Sequence, residues 1–146
     1  MMDVPKICLN MIVKNESAII IRLLESVIPL IDSYCICDTG STDNTITLIQ
    51  DYCKSKNIPG KIIEESFRDF GYNRSYALMG CTDMENADYI LLMDADMKLE
   101  IRTTDILQFK RMLINDAYYV VQGCSDFYNE NIRIIRNDPG YHYWGV

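Results

Sequence analysis

Two aspartates follow directly on a short apolar stretch of the chain. Asp94 and Asp96 come after the run 89–93 (Tyr-Ile-Leu-Leu-Met), with the small Ala95 between them. In an extended chain, residues i and i+2 point to the same side, so both carboxylates can reach one point. Mg²⁺ and Mn²⁺ prefer such hard oxygen ligands, usually one or two carboxylates together with phosphate oxygens. The spacing predicts a divalent-metal site, and two solvated aspartates at a strand end are the alternative that spacing alone leaves open.

A second polar segment combines a carboxylate with turn-forming residues. Asp38 follows a short apolar run, and the sequence Thr-Gly-Ser-Thr-Asp-Asn-Thr occupies positions 39–45. Gly40 permits a sharp turn, and Ser41 or Thr42 can cap a following helix. A loop that only caps the next helix would have the same residues after Ser41, but it would not need the carboxylate of Asp38. Asp38 is therefore a candidate acceptor of hydrogen bonds from a base or a ribose.

Basic residues and one histidine are further candidates. Arg74 stands near the predicted start of a helix, where a guanidinium could meet a phosphate or a base carbonyl. A surface arginine is the alternative there, and Lys14 carries the same ambiguity. Arg133 and Arg136 alternate along a predicted strand and are expected to share a solvated face. His142, the only histidine, is expected to be exposed among aromatic neighbours, with a metal ligand as the alternative.

Strand-like and helix-like stretches alternate along the chain. This order predicts an α/β fold in which helices flank a mainly parallel sheet. Ligands of such sheets bind at the carboxyl ends of the strands, so segments 14–16, 38–41 and 94–96 should converge on one edge. The predicted strands are 6–13, 34–37, 61–64, 89–93, 117–124 and 132–136, the last two paired across a loop at 126–131. The predicted helices are 19–27 with Asn15 as its cap, 46–53, 72–81 and 104–115.

Bulk properties bound the function further. With 146 residues the chain is long enough for one compact domain. A net charge of −7 would repel a phosphate backbone, which argues against nucleic-acid binding. No apolar run reaches about 18 residues and the N-terminus lacks a basic and apolar leader, so we expect no membrane segment and a cytoplasmic location. The six cysteines form no Cys-x-x-Cys pair, which favours reduced, buried thiols.

Four sequence blocks together resemble the inverting family-two glycosyltransferases with the GT-A (Rossmann-like) fold. They are 9–16 (Leu-Asn-Met-Ile-Val-Lys-Asn-Glu), 37–45 (Cys-Asp-Thr-Gly-Ser-Thr-Asp-Asn-Thr), 69–74 (Asp-Phe-Gly-Tyr-Asn-Arg) and 91–96 (Leu-Leu-Met-Asp-Ala-Asp). The first block is most similar to bacterial and viral members, which would mean the host cytoplasm for a viral protein. Four blocks in the family's order are far more specific than any one of them.

The resemblance implies donor-binding roles for the matching positions. Asp38 would bind uracil or its ribose, and Arg74 would contact the base or the diphosphate. Asp94 would touch ribose or metal, and Asp96 would be the direct ligand of Mn²⁺ or Mg²⁺. The donor would be a nucleotide sugar, most often a UDP-sugar. The implied donor-binding residues are Ile12, Val13, Lys14, Asn15, Glu16, Asp38, Gly40, Ser41, Arg74, Asp94, Ala95 and Asp96.

The resemblance also implies that part of the machinery is missing. In relatives the acceptor side and the catalytic base follow the donor half, and segment 132–146 resembles the stretch just before a His-Glu pair. We therefore expect one donor-binding domain over 1–146, truncated after that half, with the base beyond Val146. Asp126 and Glu130 match no such role. The acceptor, whether glycan, protein or lipid, stays open, and an exposed core face could support a homo-oligomer.

Other functions share parts of this pattern. A metal-dependent nucleotidyltransferase would carry a glycine-rich basic loop after the first strand, whereas Lys14, Asn15 and Glu16 follow it here. A phospho-receiver domain would need an acidic pair at that same place. A remnant that only binds or hydrolyses the donor would keep every motif, so the sequence leaves that alternative open.

Overall fold

The computed structural model describes residues 3–124 and 126–144. The expectations that concern Met1, Met2 and Val146 therefore lie outside the described residues. The strands are β1 (Ile7–Val13), β2 (Ser33–Asp38), β3 (Gly60–Glu64), β4 (Tyr89–Leu92), β5 (Ala117–Cys124) and β6 (Phe127–Arg136). The helices are α1 (Ile20–Val27), α2 (Thr45–Ser55), α3 (Phe70–Met79) and α4 (Ile106–Arg111). Within these residues, no helix has both the length and the apolar character needed to cross a membrane.

The six described strands form one sheet in the order β3-β2-β1-β4-β6-β5. Neighbours among β1 to β4 are parallel, whereas β6 runs antiparallel to both β4 and β5. The prediction of an α/β fold with a mainly parallel sheet flanked by helices is confirmed. The interior strands β1 and β2 are buried almost throughout, which explains their continuous apolar sequences.

The core has two parts, one on each face of the sheet. In β1, Ile7 and Leu9 belong to one apolar cluster and Cys8 to the other, because successive side chains point to opposite faces. Helix α1 covers the larger cluster with Leu23, Leu24 and other residues at helical spacing. On the other face, α3 contributes Leu78 to the smaller cluster. The sheet is thus held between helices, with its carboxyl edge open.

Some predicted elements were wrong. The segment 126–131 was expected to be a loop, but β6 already begins at Phe127. Its first six residues are exposed, so this half of the strand is held by pairing with β5 and carries no alternating burial pattern. Helix α4 is six residues long instead of covering 104–115. Helix α3 begins two residues before the predicted position, because the Asp69 side chain caps it by accepting from the Tyr72 N–H at 2.7 Å.

The predicted helix caps at the first two loops were also wrong. The N-cap of α1 is Ile19, which makes no side-chain cap, whereas Asn15 lies four residues earlier with φ at 52°. The N-cap of α2 is Asn44, again without a side-chain cap, so neither Ser41 nor Thr42 fills that position. The polar side chains of these loops bind across to the neighbouring loop instead.

Candidate functional site

An open cleft of about 540 Å³ lies at the carboxyl edge of the sheet. The loops after β1, β2 and β4 meet there, as parallel neighbouring strands require and as the sequence predicted. The residues that line the cleft are Ile12, Val13, Lys14, Glu16, Thr39, Phe67, Phe70, Arg74, Asp94, Ala95 and Asp96.

The loops after β1 and β2 are joined by hydrogen bonds. The Oδ1 atom of Asn15 accepts from the backbone N–H groups of Thr42 at 2.7 Å and Asp43 at 3.2 Å. In return, the Asn15 N–H donates to the Ser41 hydroxyl at 2.9 Å. Asn15 and Ser41 thus do not line the cleft but tie its two loops together. The wall of the cleft is therefore one cross-linked unit rather than two free loops.

Asp38 is directed into the protein instead of into the cleft. Its side chain is buried, with Oδ1 accepting from the N–H groups of Gly40 at 2.9 Å and Ser41 at 2.8 Å. Its Oδ2 atom is buried without a hydrogen-bond partner within the described part of the chain. Gly40 has φ at 126°, which explains the glycine at this turn. The cleft itself is lined by the next residue, Thr39.

Asp94 lies between two arginines. Its Oδ1 atom accepts from Nη2 of Arg74 at 2.9 Å, and Nη1 of Arg133 stands 4.0 Å from its Oδ2 atom. Arg74 also places its guanidinium over the rings of Phe70 and Tyr143, at 5.8 and 5.9 Å from their centroids. Its Nε atom is buried without a hydrogen-bond partner in the described chain. The carboxylate of Asp94 is thus already engaged by protein cations.

Asp96 differs from Asp94 in being exposed and unengaged. Its backbone carbonyl accepts from Nη2 of Arg22 at 3.2 Å, which ties the loop to α1. Over residues 3–124 and 126–144, its carboxylate has no ion-pair or hydrogen-bond partner. Burial raises the pKa of the nearby Glu16, and the negative charges of Asp96 and Asp43 raise it further. Negative charge is therefore concentrated on this side of the cleft.

The donor set fits Mn²⁺ or Mg²⁺ only in company with a ligand. No group of three or more His, Cys, Asp or Glu side chains is placed to hold a metal ion in the described chain. Among the described residues, two unpaired carboxylates, those of Asp96 and Glu16, border the cleft beside the engaged Asp94. Magnesium is commonly bound by one or two carboxylates plus substrate phosphates and water. The residues fit a cation that arrives with a diphosphate.

Several cleft residues were missed by the sequence analysis. Phe67 and Phe70 pack edge to face with their centroids 5.2 Å apart, and they remain 46% and 55% exposed. Two phenylalanines in an otherwise polar stretch before a candidate arginine were a signal that could have found them, because large apolar side chains on a polar loop can form a ligand surface. Thr39 was missed as well, and Arg133, which approaches Asp94 from outside the cleft, was expected to be solvated. Arg133 could not be found from spacing, since its partners come from other elements.

The remaining candidates lie elsewhere. Arg133 and Arg136 do not share a face as expected, because they are three residues apart and side chains alternate along a strand. Arg136 binds Asp116 at 3.1 Å, away from the cleft. His142 is exposed, as expected, with its ring 4.8 Å from that of Trp144. Glu130 is on the exposed half of β6, so it lines no part of the cleft.

Solved structures define the class of fold. A mannosyltransferase from Pyrobaculum calidifontis, in complex with GDP-Man and Mn²⁺, matches with a TM-score of 0.59 and 17% identity, over 79% of this chain and 34% of that one. TarS from S. aureus, in complex with UDP, matches with a TM-score of 0.50 and 22% identity, over 62% of this chain and 27% of that one. The fold is that of the GT-A glycosyltransferases.

Sequence comparison gives the family. The model of glycosyl transferase family 2 matches residues 8–144, and the chain belongs to this family. Uncharacterized glycosyltransferases of Rickettsia felis and Rickettsia prowazekii are each 29% identical over 104 residues, which is 71% of this chain. These matches cover 33% and 32% of the two relatives. The chain therefore spans about a third of the length of the curated relatives it matches.

Proposed function

We propose that the cleft binds the nucleoside-diphosphate part of a sugar donor, a UDP-sugar, together with Mn²⁺ or Mg²⁺. In the whole protein the sugar would then pass to an acceptor hydroxyl. The observation that carries this proposal is the pairing of one free carboxylate, Asp96, with an arginine-bound carboxylate, Asp94, at the carboxyl edge of a GT-A sheet. Family membership supports glycosyl transfer as the reaction class.

The two aspartates have different roles in this proposal. Asp96 is the direct ligand of the cation, which neutralises the diphosphate and stabilises it as a leaving group. Asp94 keeps its carboxylate on Arg74 and so holds that guanidinium at the floor of the cleft. Arg74 then offers its remaining N–H groups to a phosphate or to the base. Asp94 contributes to the metal site through position and charge more than through direct ligation.

The nucleoside has a matching set of contacts on the other side of the cleft. The Thr39 hydroxyl donates to the Val13 carbonyl at 3.2 Å, so its oxygen lone pairs are left to accept from an imide N–H such as that of uracil. The exposed rings of Phe67 and Phe70 offer a surface on which a base can stack. Backbone groups of Ile12, Val13, Lys14 and Glu16 would line the same pocket. Asp38 supports it by shaping the turn.

The proposal assigns no general base to the described residues. Glu16, Asp94 and Asp96 are the carboxylates that line the donor cleft, and each has a role there or a charge that faces the cation. The base that deprotonates the acceptor would come from outside this set. A chain that binds the donor and hydrolyses it slowly is the second candidate, favoured by this same observation. Neither candidate function indicates whether the acceptor is a glycan, a protein or a lipid.

Calorimetry with UDP tests the proposal directly. We expect the chain to bind UDP in Mn²⁺, and Asp96→Asn to weaken that binding at least about tenfold, because a neutral amide is a poor metal ligand. In EDTA the variant and the wild type should bind equally weakly. Asp51→Asn, an exposed aspartate in α2, is the matched control and should bind as the wild type does.

Two outcomes of these binding measurements would refute parts of the proposal. UDP binding that does not depend on metal, or that Asp96→Asn leaves unchanged, would refute the metal role of Asp96. Tighter binding of GDP than of UDP would refute the assignment of uracil as the base. Incubation of a UDP-sugar with Mn²⁺ and analysis of released sugar separates donor hydrolysis from binding alone.

A further inference from the structure

Arg133 connects the β5–β6 hairpin to the candidate site. Its side chain is 14% exposed, so it is held largely within the protein. The Nε and Nη2 atoms both donate to Oε1 of Gln122 in β5, at 3.1 and 2.9 Å. The Nη1 atom points the other way and stands 4.0 Å from Oδ2 of Asp94. The planar guanidinium therefore bridges the hairpin and the metal-site loop.

Asp94 is consequently enclosed by two guanidinium groups, one at each oxygen. Arg74 binds Oδ1 from α3, and Arg133 approaches Oδ2 from β6. Two positive charges against one carboxylate leave a net positive charge beside the place where the diphosphate is expected. Asp94 is 29% exposed at its side chain, so water screens this charge only in part. The two guanidinium groups therefore hold the Asp94 carboxylate in its orientation.

Arg133 is placed to act through Asp94 and not by touching the nucleoside. It does not line the donor cleft. It lines a neighbouring open cleft of about 850 Å³ together with Asp96 and Gln122. With Arg74, Asp94 and Tyr143 it lines a separate cavity of about 10 Å³. Such a cavity holds about one water molecule and no larger ligand. Because it lies outside the donor cleft and approaches Asp94, Arg133 contributes to donor binding through the orientation of the Asp94 carboxylate.

We propose, on the basis of the function proposed above, that Arg133 is a positioning residue for the donor diphosphate. It keeps the Asp94 carboxylate turned toward the arginines, while Asp96 remains free to meet the cation. Gln122 holds the guanidinium in the orientation that allows this. The β5–β6 hairpin, which supplies no residue to the donor cleft, thereby becomes part of the diphosphate site.

Binding of UDP and uridine to variants at position 133 tests this inference. Arg133→Gln should weaken UDP binding in Mn²⁺ about tenfold, a typical size for the coupling of charged groups in one network. Uridine carries no phosphate, so its binding should stay unchanged. Arg133→Lys keeps the charge but cannot contact Gln122 and Asp94 together, so we expect it to weaken UDP binding about threefold. Arg136→Gln, three residues along the same strand, is the matched control and should bind UDP as the wild type does.

A double-mutant cycle with Asp94→Asn separates the proposed route from others. If Arg133 acts through Asp94, Arg133→Gln should weaken UDP binding less than about twofold in the Asp94→Asn background. A full tenfold effect in that background would overturn the inference. So would unchanged UDP binding by Arg133→Gln, or equal weakening for UDP and uridine, which would mean a general structural defect. These results leave the proposed function intact, whereas a wild type that binds no UDP overturns both.

Discussion

At the residue scale, Asn15 shows how one side chain can organise two loops. Its backbone has φ at 52°, in the left-handed region that asparagine tolerates better than most residues. Its side chain accepts from the N–H groups of Thr42 and Asp43 in the neighbouring loop. Asparagine thus supplies both the left-handed conformation and the hydrogen-bond acceptor. Glycine would supply only the conformation, and alanine would supply neither.

We expect this double role to appear in the free energy of unfolding. Asn15→Gly should cost about 1 kcal/mol, because two N–H groups lose their acceptor but gain water. Asn15→Ala should cost about 2 kcal/mol, because it adds the strain of a left-handed alanine to the same loss. Urea denaturation of the two variants measures the difference. Equal costs would mean that conformation contributes nothing at this position.

The residue types in the sequence predicted where the site lies, but they did not predict which residues contact one another there. Asp94 and Asp96 line the cleft as expected from their places after a strand, and Arg74 does so from the first half of α3. Asn15 was predicted to cap the helix that follows it, because a sequence pattern shows only neighbours along the chain. Its true partners are about 27 residues away and are brought close by the pairing of β1 with β2. Contacts of this kind follow from topology and cannot be derived from local spacing.

At the element scale, the start of α2 depends on an aspartate outside the helix. The Asp43 carboxylate accepts from the Thr45 hydroxyl and N–H and from the Ser17 N–H. The hydrogen bond from the Thr45 side chain is the largest cause that lowers the pKa of Asp43 from 3.8 to about 2. A lowered folded-state pKa means that the charged form stabilises the fold. That stabilisation is complete above the unfolded pKa and is lost as the pH falls through the folded one.

The expected consequence is a pH-dependent cost of removing this carboxylate. Asp43→Ala should destabilise the chain at pH 6, and the difference from the wild type should shrink between about pH 4 and pH 2. Urea midpoints recorded for both proteins across this range provide the measurement. Asp51→Ala, on the exposed face of α2, is the control and should show no such trend. A difference that stays constant down to pH 2 would contradict the assignment.

The sequence located the buried strands more accurately than the exposed ones. The strands β1, β2 and β4 are buried runs of apolar residues and were located to within one or two residues. The first half of β6 was missed because its residues are exposed and mostly polar there. Pairing between β5 and β6 was predicted, but the insertion of β6 between β4 and β5 was not. Strand order is set by packing of distant segments, which periodicity does not encode.

At the scale of the whole molecule, the sheet divides the core into two parts, and buried cysteines lie in both. Cys8, Cys35 and Cys81 lie in the smaller apolar cluster, whereas Cys53 lies in the larger one on the opposite face. All six thiols are free, and Cys124 is the one that is exposed. Burial raises the pKa values of Cys37 and Cys53 to about 11. Lack of access protects the buried thiols from reagents, and protonation adds to this protection at Cys37 and Cys53.

The fold thus predicts a specific pattern of thiol reactivity. With Ellman's reagent at about pH 8, one thiol of the native chain should react rapidly, and Cys124→Ser should abolish that phase. The remaining five should react only as fast as the protein opens, because global or local unfolding must first expose the core. Guanidinium should release all six at once in the wild type and five in the variant. Two or more rapidly reacting thiols in the native state would contradict the burial of the other five cysteines. Retention of the single fast phase in Cys124→Ser would instead mean that one of the five buried cysteines is accessible.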